Sequence, residues 1–222
     1  MAGAAAEVVD CIRVLEKSGS NLVAEALGGR EFIEMEHYPP DDVRDPKSGS
    51  QFYFHAHPQT RGQWNDYGHF HLFLGAASIP SVLKPVVPDQ CKTSEGGDAA
   101  LCHLIAISMT RQGRPVRLFT TNRWVTGGLY YEADELITVI DRFELDHAHP
   151  SSPLNRWMIA MLGLYRNEIG DLLLARDCAV TEWQSAHPAT GVFEDRALEI
   201  TSALDIDLDN RLEEIRRALR ID

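Results

Sequence analysis

The chain has 222 residues, 44% hydrophobic and 24% charged, proportions that fit a globular protein with room for one sizeable core. Its 33 acidic residues against 21 basic ones give a formal net charge of −12. Such a surface repels phosphate backbones and anionic lipid, so neither nucleic acid nor a membrane is an expected partner.

The opening stretch MAGAAAEVVDCIRVLEK has no basic region leading into an unbroken apolar one. No segment approaches the ~20 apolar residues of a membrane span, so a cytoplasmic location is expected. Val8, Cys11, Ile12, Leu15, Leu22, Val23 and Ala26 recur at helical spacing around Ser18-Gly19-Ser20. This predicts two helical pieces joined by a bend, stopped by Gly28-Gly29 and laid over a sheet.

Beyond residue 29 the period changes to two. Phe32–His37, Gln51–His57, His69–Gly75, Leu101–Met109 and Val116–Asn122 are short runs rich in aromatic and branched residues, separated by turn-forming stretches such as Pro39-Pro40-Asp41-Asp42 and Lys47-Ser48-Gly49-Ser50. They predict an antiparallel, curved sheet over residues 30–125. The 76–100 stretch is long enough to be a lid.

From Tyr130 to Phe143 the pattern is helical again, and Ser151-Ser152-Pro153 starts a long helix running towards Cys178. Leu198–Leu208 is a candidate returning strand, followed by a short helix from about Arg211 with Asn210 and Glu213 spaced as a capping box. The expected fold is therefore one α+β domain, 1–222, with five or six antiparallel strands covered by N-terminal and C-terminal helices. "DIDLDN", 205–210, resembles the opening of a calcium-binding EF-hand loop, but Asn210 stands at the glycine position and Arg216 at the twelfth.

The chemistry concentrates in "FYFHAHPQTRGQWNDYGHFHLFLG", residues 52–75. Alternation puts Tyr53, His55 and His57 on one strand face and His69 and His71 on one face of the next, with Phe52, Phe54, Phe70, Leu72 and Leu74 opposite. Pairing His57 with His69 and His55 with His71 would gather four imidazoles at cross-strand spacings of ~5 Å. Such a group suits one divalent transition metal, namely Zn, Fe, Ni or Cu, at nitrogen distances of about 2.0–2.1 Å. His37 and His103 are further candidate ligands, although His103 sits in the apolar run ALCHLIAISM, where a core position is the plain alternative.

Carboxylates near the cluster are Glu34, Glu36 and Asp66, and Glu36 is the candidate general base beside Tyr53. Only one side of the 32–37 run can face the site, so Glu34 with Glu36 or Met35 with His37 joins it. "TTNRWVTGG", 120–128, offers Asn122, Arg123 and Trp124 to a substrate, with Arg123 as anchor if that substrate is acidic. Cys11, Cys91, Cys102 and Cys178 lack a Cys-x-x-Cys spacing and read as apolar fillers, with Cys102 beside His103 the one to check for reactivity.

The blocks "EMEHYPPDDV", "SGSQFYFHAH", "GHFHLFL" and "LFTTNRWVTG" resemble those of a bacterial family catalogued only as being of unknown function. The resemblance spans most of residues 30–130 and implies no activity. The His-x-His strand is also similar to the first motif of the cupin barrels, although Pro58-Gln59-Thr60-Arg61 stands where a cupin glutamate would follow. The leading expectation is a metal-dependent enzyme acting on a small molecule. The alternatives are a non-catalytic small-molecule binder, or a homodimer joined through the long helix whose histidines are a structural polar core.

Overall fold

The structure, a computed structural model, describes residues 1–57, 66–87 and 100–219. Two helices open the chain, α1 over Ala2–Lys17 and α2 over Leu22–Leu27. Ala5, Val8, Cys11 and Leu15 of α1 are buried at intervals of three and four, one stripe of the helix. Asn21 caps α2 by accepting from the amides of Val23 and Ala24, and Gly28 ends it in the left-handed conformation at φ 58°.

The six strands are β1 Tyr38–Arg44, β2 Gln51–His55, β3 Gly68–Gly75, β4 Leu101–Met109, β5 Pro115–Thr121 and β6 Ile200–Asp205. They form one sheet in the order β1-β2-β3-β4-β5-β6, each antiparallel to its neighbour. β1 and β6 are its edges, so the sheet is open, and the returning strand expected near 198–208 is β6.

The expected strand Phe32–His37 does not form. The Tyr38 hydroxyl accepts from the Ile33 amide and donates to the Glu31 carbonyl, and Met35 takes a φ of 70°. That tether and turn divert the segment from a ladder, and Phe32 stacks on Tyr67 instead, with ring centroids 4.9 Å apart. The edge strand is the next stretch, where Tyr38 pairs with Phe54 and Val43 with Phe52 around an irregularity. Pro39 and Pro40, expected in a turn, are tolerated there because an edge strand need not donate on its open side.

The helices of the second half are α3 Arg123–Thr126, α4 Ala133–Ile137, α5 Ser152–Leu164, α6 Arg166–Ala186 and α7 Leu208–Leu219. The single long helix expected from Pro153 to Cys178 is broken at Tyr165, which has φ −111° and ψ 26°. Apolar spacing continues through the break, since Met161, Tyr165, Ile169 and Leu172 are all buried. Periodicity alone therefore conceals it. α7 starts earlier than expected, because Asp207, not Asn210, is the capping residue: its carboxylate accepts from the Asn210 amide at 3.0 Å.

Phe52, Phe54, Phe70, Leu72, Leu74, Ile105, Ile107 and Leu118 from the sheet join Val8 and Leu15 of α1, Trp157, Met158 and Met161 of α5, and Leu173 of α6 in one apolar cluster. Burying each such side chain stabilises by about 1.5–3 kcal/mol, so this face fixes the orientation of every strand. Among the described residues, no helix is long and apolar enough to cross a membrane. Of Arg111, Arg114, Arg117 and Arg123, which lie close together in sequence, three sit in ion pairs, Arg114 with Asp209, Arg117 with Asp205 and Arg123 with Glu194.

Candidate metal centre

Because Phe52, Phe54, Phe70 and Leu72 are claimed by the core, alternation turns Tyr53, His55, His69 and His71 to the other face of the sheet. The register differs from the expected one by two residues: His55 pairs with His69, and Tyr53 with His71. Gly68 permits it. A Cβ there would lie 2.7 Å from the His55 carbonyl oxygen and 2.5 Å from the Phe54 ring, so only glycine lets β3 approach β2 this closely.

His57 lies just past the end of β2, and its ring centroid is 4.8 Å from that of His55 and 5.4 Å from that of His69. His55, His57 and His69 each offer a nitrogen within 4.8 Å of the other two. The Nε2 atoms of His55 and His69 are 2.9 Å apart. Two nitrogens bound tetrahedrally to one ion at about 2.0–2.1 Å would be separated by roughly 3.3 Å, so a small adjustment suffices.

His71 is not part of that trio. Its Nδ1 is 3.0 Å from Nε2 of His103, and its own Nε2 is buried without a hydrogen-bond partner. His103 reaches this face through a bulge: Leu72 pairs with Ile105 but Phe73 with His103, leaving Leu104 as an extra residue on β4. Strict alternation would have placed His103 in the core beside Ile105. His37 stacks on Tyr53 at a centroid distance of 3.7 Å, is 5.6 Å from the His55 ring, and holds Asp42 Oδ1 through Nδ1 at 3.0 Å. Four of the six expected histidines thus divide into the 55/57/69 trio plus the member shared with neither, His37, while His71 and His103 form a pair.

A family profile described as a domain of unknown function, DUF6969, matches residues 2–206. The chain belongs to the DUF6969 family. The match takes in everything from α1 to β6, and so covers both the histidine-bearing strands of this DUF6969 member and the helices packed behind them. No curated protein and no solved structure matches the chain.

Burial dominates the electrostatics. It lowers His55 to about 2, reinforced by the neighbouring His69, His57 and His37. Burial likewise sets His71 well below the usual histidine range, and takes His103 to about 3 with help from Arg176 and His69. Rings kept neutral retain their lone pairs, which is what metal ligation requires. Burial also raises the Tyr53 phenol, with Asp42 adding to it, so Tyr53 remains a protonated hydrogen-bond donor. The Cys102 thiol is pushed up to about 12 by burial in the core, which makes it inert despite its place beside His103.

A cleft of about 690 Å³ opens beside the trio, with His37, His55 and His57 on its wall. Tyr53, Phe73 and Trp124 supply aromatic surface, and Asp42, Gln51 and Glu199 supply polar groups. Met35 and His37 face this cleft, whereas Glu34 and Glu36 are exposed and do not line it. Asp66 lies behind the trio, with Oδ2 3.7 Å from His69 Nδ1.

The expected substrate residues are split. Trp124 lines the cleft while its indole nitrogen donates to the Leu198 carbonyl. Asn122 is buried in structural duty, capping α3 and donating to the Val192 carbonyl. Arg123 is buried too, its guanidinium held by Glu194 and the Gly128 carbonyl. Asp42 and Glu199 were not foreseen: Asp42 reads as part of a turn, and Glu199 carries no signal beyond preceding a strand. The lid expected in 76–100 falls partly outside the described residues.

Proposed function

We propose that the chain is a metal-dependent enzyme whose ion is held by His55, His57 and His69 and whose substrate is a small molecule bound in the adjoining cleft. The observation that carries this reading is the convergence of three imidazole nitrogens within 4.8 Å beside a cleft of about 690 Å³. Three nitrogen ligands with a further position open towards a cavity are typical of catalytic rather than structural sites. An all-imidazole set favours Zn, Fe, Ni or Cu over Mg or Ca. When bound, such an ion supplies Lewis acidity and an activated water.

The chain's own groups would divide the remaining work. Tyr53 offers a neutral hydroxyl. The Glu199 carbonyl accepts from the Asn122 amide, but its carboxylate makes no hydrogen bond or ion pair among the described residues, so it, rather than the exposed Glu36, is the carboxylate available to a ligand. Asp42 is occupied by His37 and by Gln51, which donates to its Oδ2 at 2.7 Å. With Arg123 committed to Glu194 and two carboxylates on the wall, the cleft favours a neutral or basic ligand with an apolar body over an acidic one.

Elemental analysis of protein purified without chelator tests the reading, alongside His55→Ala, His57→Ala, His69→Ala and His71→Ala. Near-stoichiometric transition metal is expected in the parent, lost in the first three and retained in the fourth. Metal content indifferent to all four rejects it. A second reading, a non-catalytic binder, draws on the aromatic wall and on a cleft volume within the usual ligand range of roughly 300–1,000 Å³. Native mass spectrometry showing an organic mass without metal would favour it.

A further inference from the structure

We propose that Asp66 is the positioning residue of this metal centre: its carboxylate takes the Nδ1–H of His69 and so directs the Nε2 lone pair of that ring to the shared coordination point. The inference rests on the metal-centre reading and adds to it a residue behind the ligands.

Three buried side-chain atoms lack a hydrogen-bond partner at one spot, Asp66 Oδ2, His69 Nδ1 and Ser108 Oγ. Leaving such groups unpaired inside a protein is costly, so three together indicate an arrangement that is completed by a further event. They are neighbours. Asp66 Oδ2 is 3.7 Å from His69 Nδ1, and Ser108 sits directly opposite His69 in the β3–β4 register. At 3.7 Å the Asp66–His69 contact is longer than a hydrogen bond, which needs about 2.7–3.2 Å, yet a small side-chain rotation closes it.

The chemistry of imidazole supplies the link. A neutral ring has one N–H and one lone pair. His69 Nε2 is the atom that meets His55 Nε2 at 2.9 Å, so a metal bound there claims the Nε2 lone pair and puts the proton on Nδ1. That proton then needs an acceptor, and Asp66 is the one at hand. A carboxylate in this position fixes ring orientation and strengthens the nitrogen as a donor. Ser108 is placed to hold the same carboxylate from the neighbouring strand.

The test is a Co²⁺ titration of the full-length, chelator-stripped protein, followed by visible absorption, for the parent, D66N and H69A. D66N is expected to weaken Co²⁺ binding about 10–100-fold and to shift the d–d bands, while H69A removes binding. D66N with parental affinity and an unchanged spectrum overturns the Asp66 proposal and leaves the metal centre standing. A parent that takes up no Co²⁺, or an H69A variant that takes it up equally well, overturns both. Should D66N fail to fold by circular dichroism, long-range ¹H–¹⁵N NMR of the Zn²⁺-loaded parent decides. A His69 proton on Nδ1 supports the assignment and one on Nε2 rejects it.

Discussion

His71 and His103 face one another across β3 and β4, with Nδ1 and Nε2 3.0 Å apart, because the extra residue Leu104 turns His103 out of the apolar layer. In the neutral pair one ring donates and the other accepts. The pair therefore satisfies two ring nitrogens without drawing on the His55, His57 and His69 trio.

Replacing His103 by leucine strands the buried Nδ1 of His71. The expected cost is about 1–3 kcal/mol, the range for an unpaired buried polar group, with metal stoichiometry unchanged. Urea denaturation and elemental analysis on the same samples check both halves; loss of the metal with stability intact would move His103 into the ligand set.

The metal-free protein should lose stability in acid. His55, His71 and His103 have folded-state pKa values depressed below 6.5, so below that pH the unfolded chain binds more protons than the folded one. Stability is complete above pH 6.5 and falls as the pH drops, by up to about 1.4 kcal/mol per pH unit for each histidine. Urea midpoints between pH 7.5 and 5 test this. A flat profile contradicts burial of neutral rings.

Gly68→Ala couples fold to site. Its Cβ would meet the backbone of His55, which cannot swing aside, so a loss of about 1–3 kcal/mol is expected from overpacking. Because the same contact holds His69 opposite His55, metal affinity should fall as well. Equilibrium dialysis against a metal buffer, at a temperature where the variant is folded, separates the two effects.

Arg123→Met addresses the division between binding and support. With the guanidinium tied to Glu194 and the Gly128 carbonyl, the substitution should cost about 1–3 kcal/mol by leaving that carbonyl unpaired. Binding of small aromatic acids or amines, followed by calorimetry, should be unaltered. A selective loss of acid binding would restore Arg123 as a substrate anchor.

Much of this architecture is legible in residue order. The period-two runs around His55, His69, Ile105 and Leu118 mark four strands to within a residue or two, because each has an apolar face with only one place to go. Side-chain alternation likewise identifies which histidines share a face. Pairing register is harder, since it depends on a close approach at Gly68 that spacing does not encode. The bulge at Leu104 is hidden for the same reason, as an all-apolar run looks identical with or without one. Phe32–His37 alternates like a strand but is captured by the Tyr38 hydroxyl, a contact visible only once the chain is folded. Arg123 illustrates a wider ambiguity: a guanidinium in a turn reads the same whether it waits for a ligand or clasps a glutamate.

Pro39 and Pro40 lie in β1, the outer strand next to β2. Neither has an amide hydrogen to lend, so a foreign strand arriving there finds a gapped template and cannot zip alongside. Strand-by-strand growth from this rim is blocked, and the histidine-bearing layer just inside is shielded from being spliced into an aggregate.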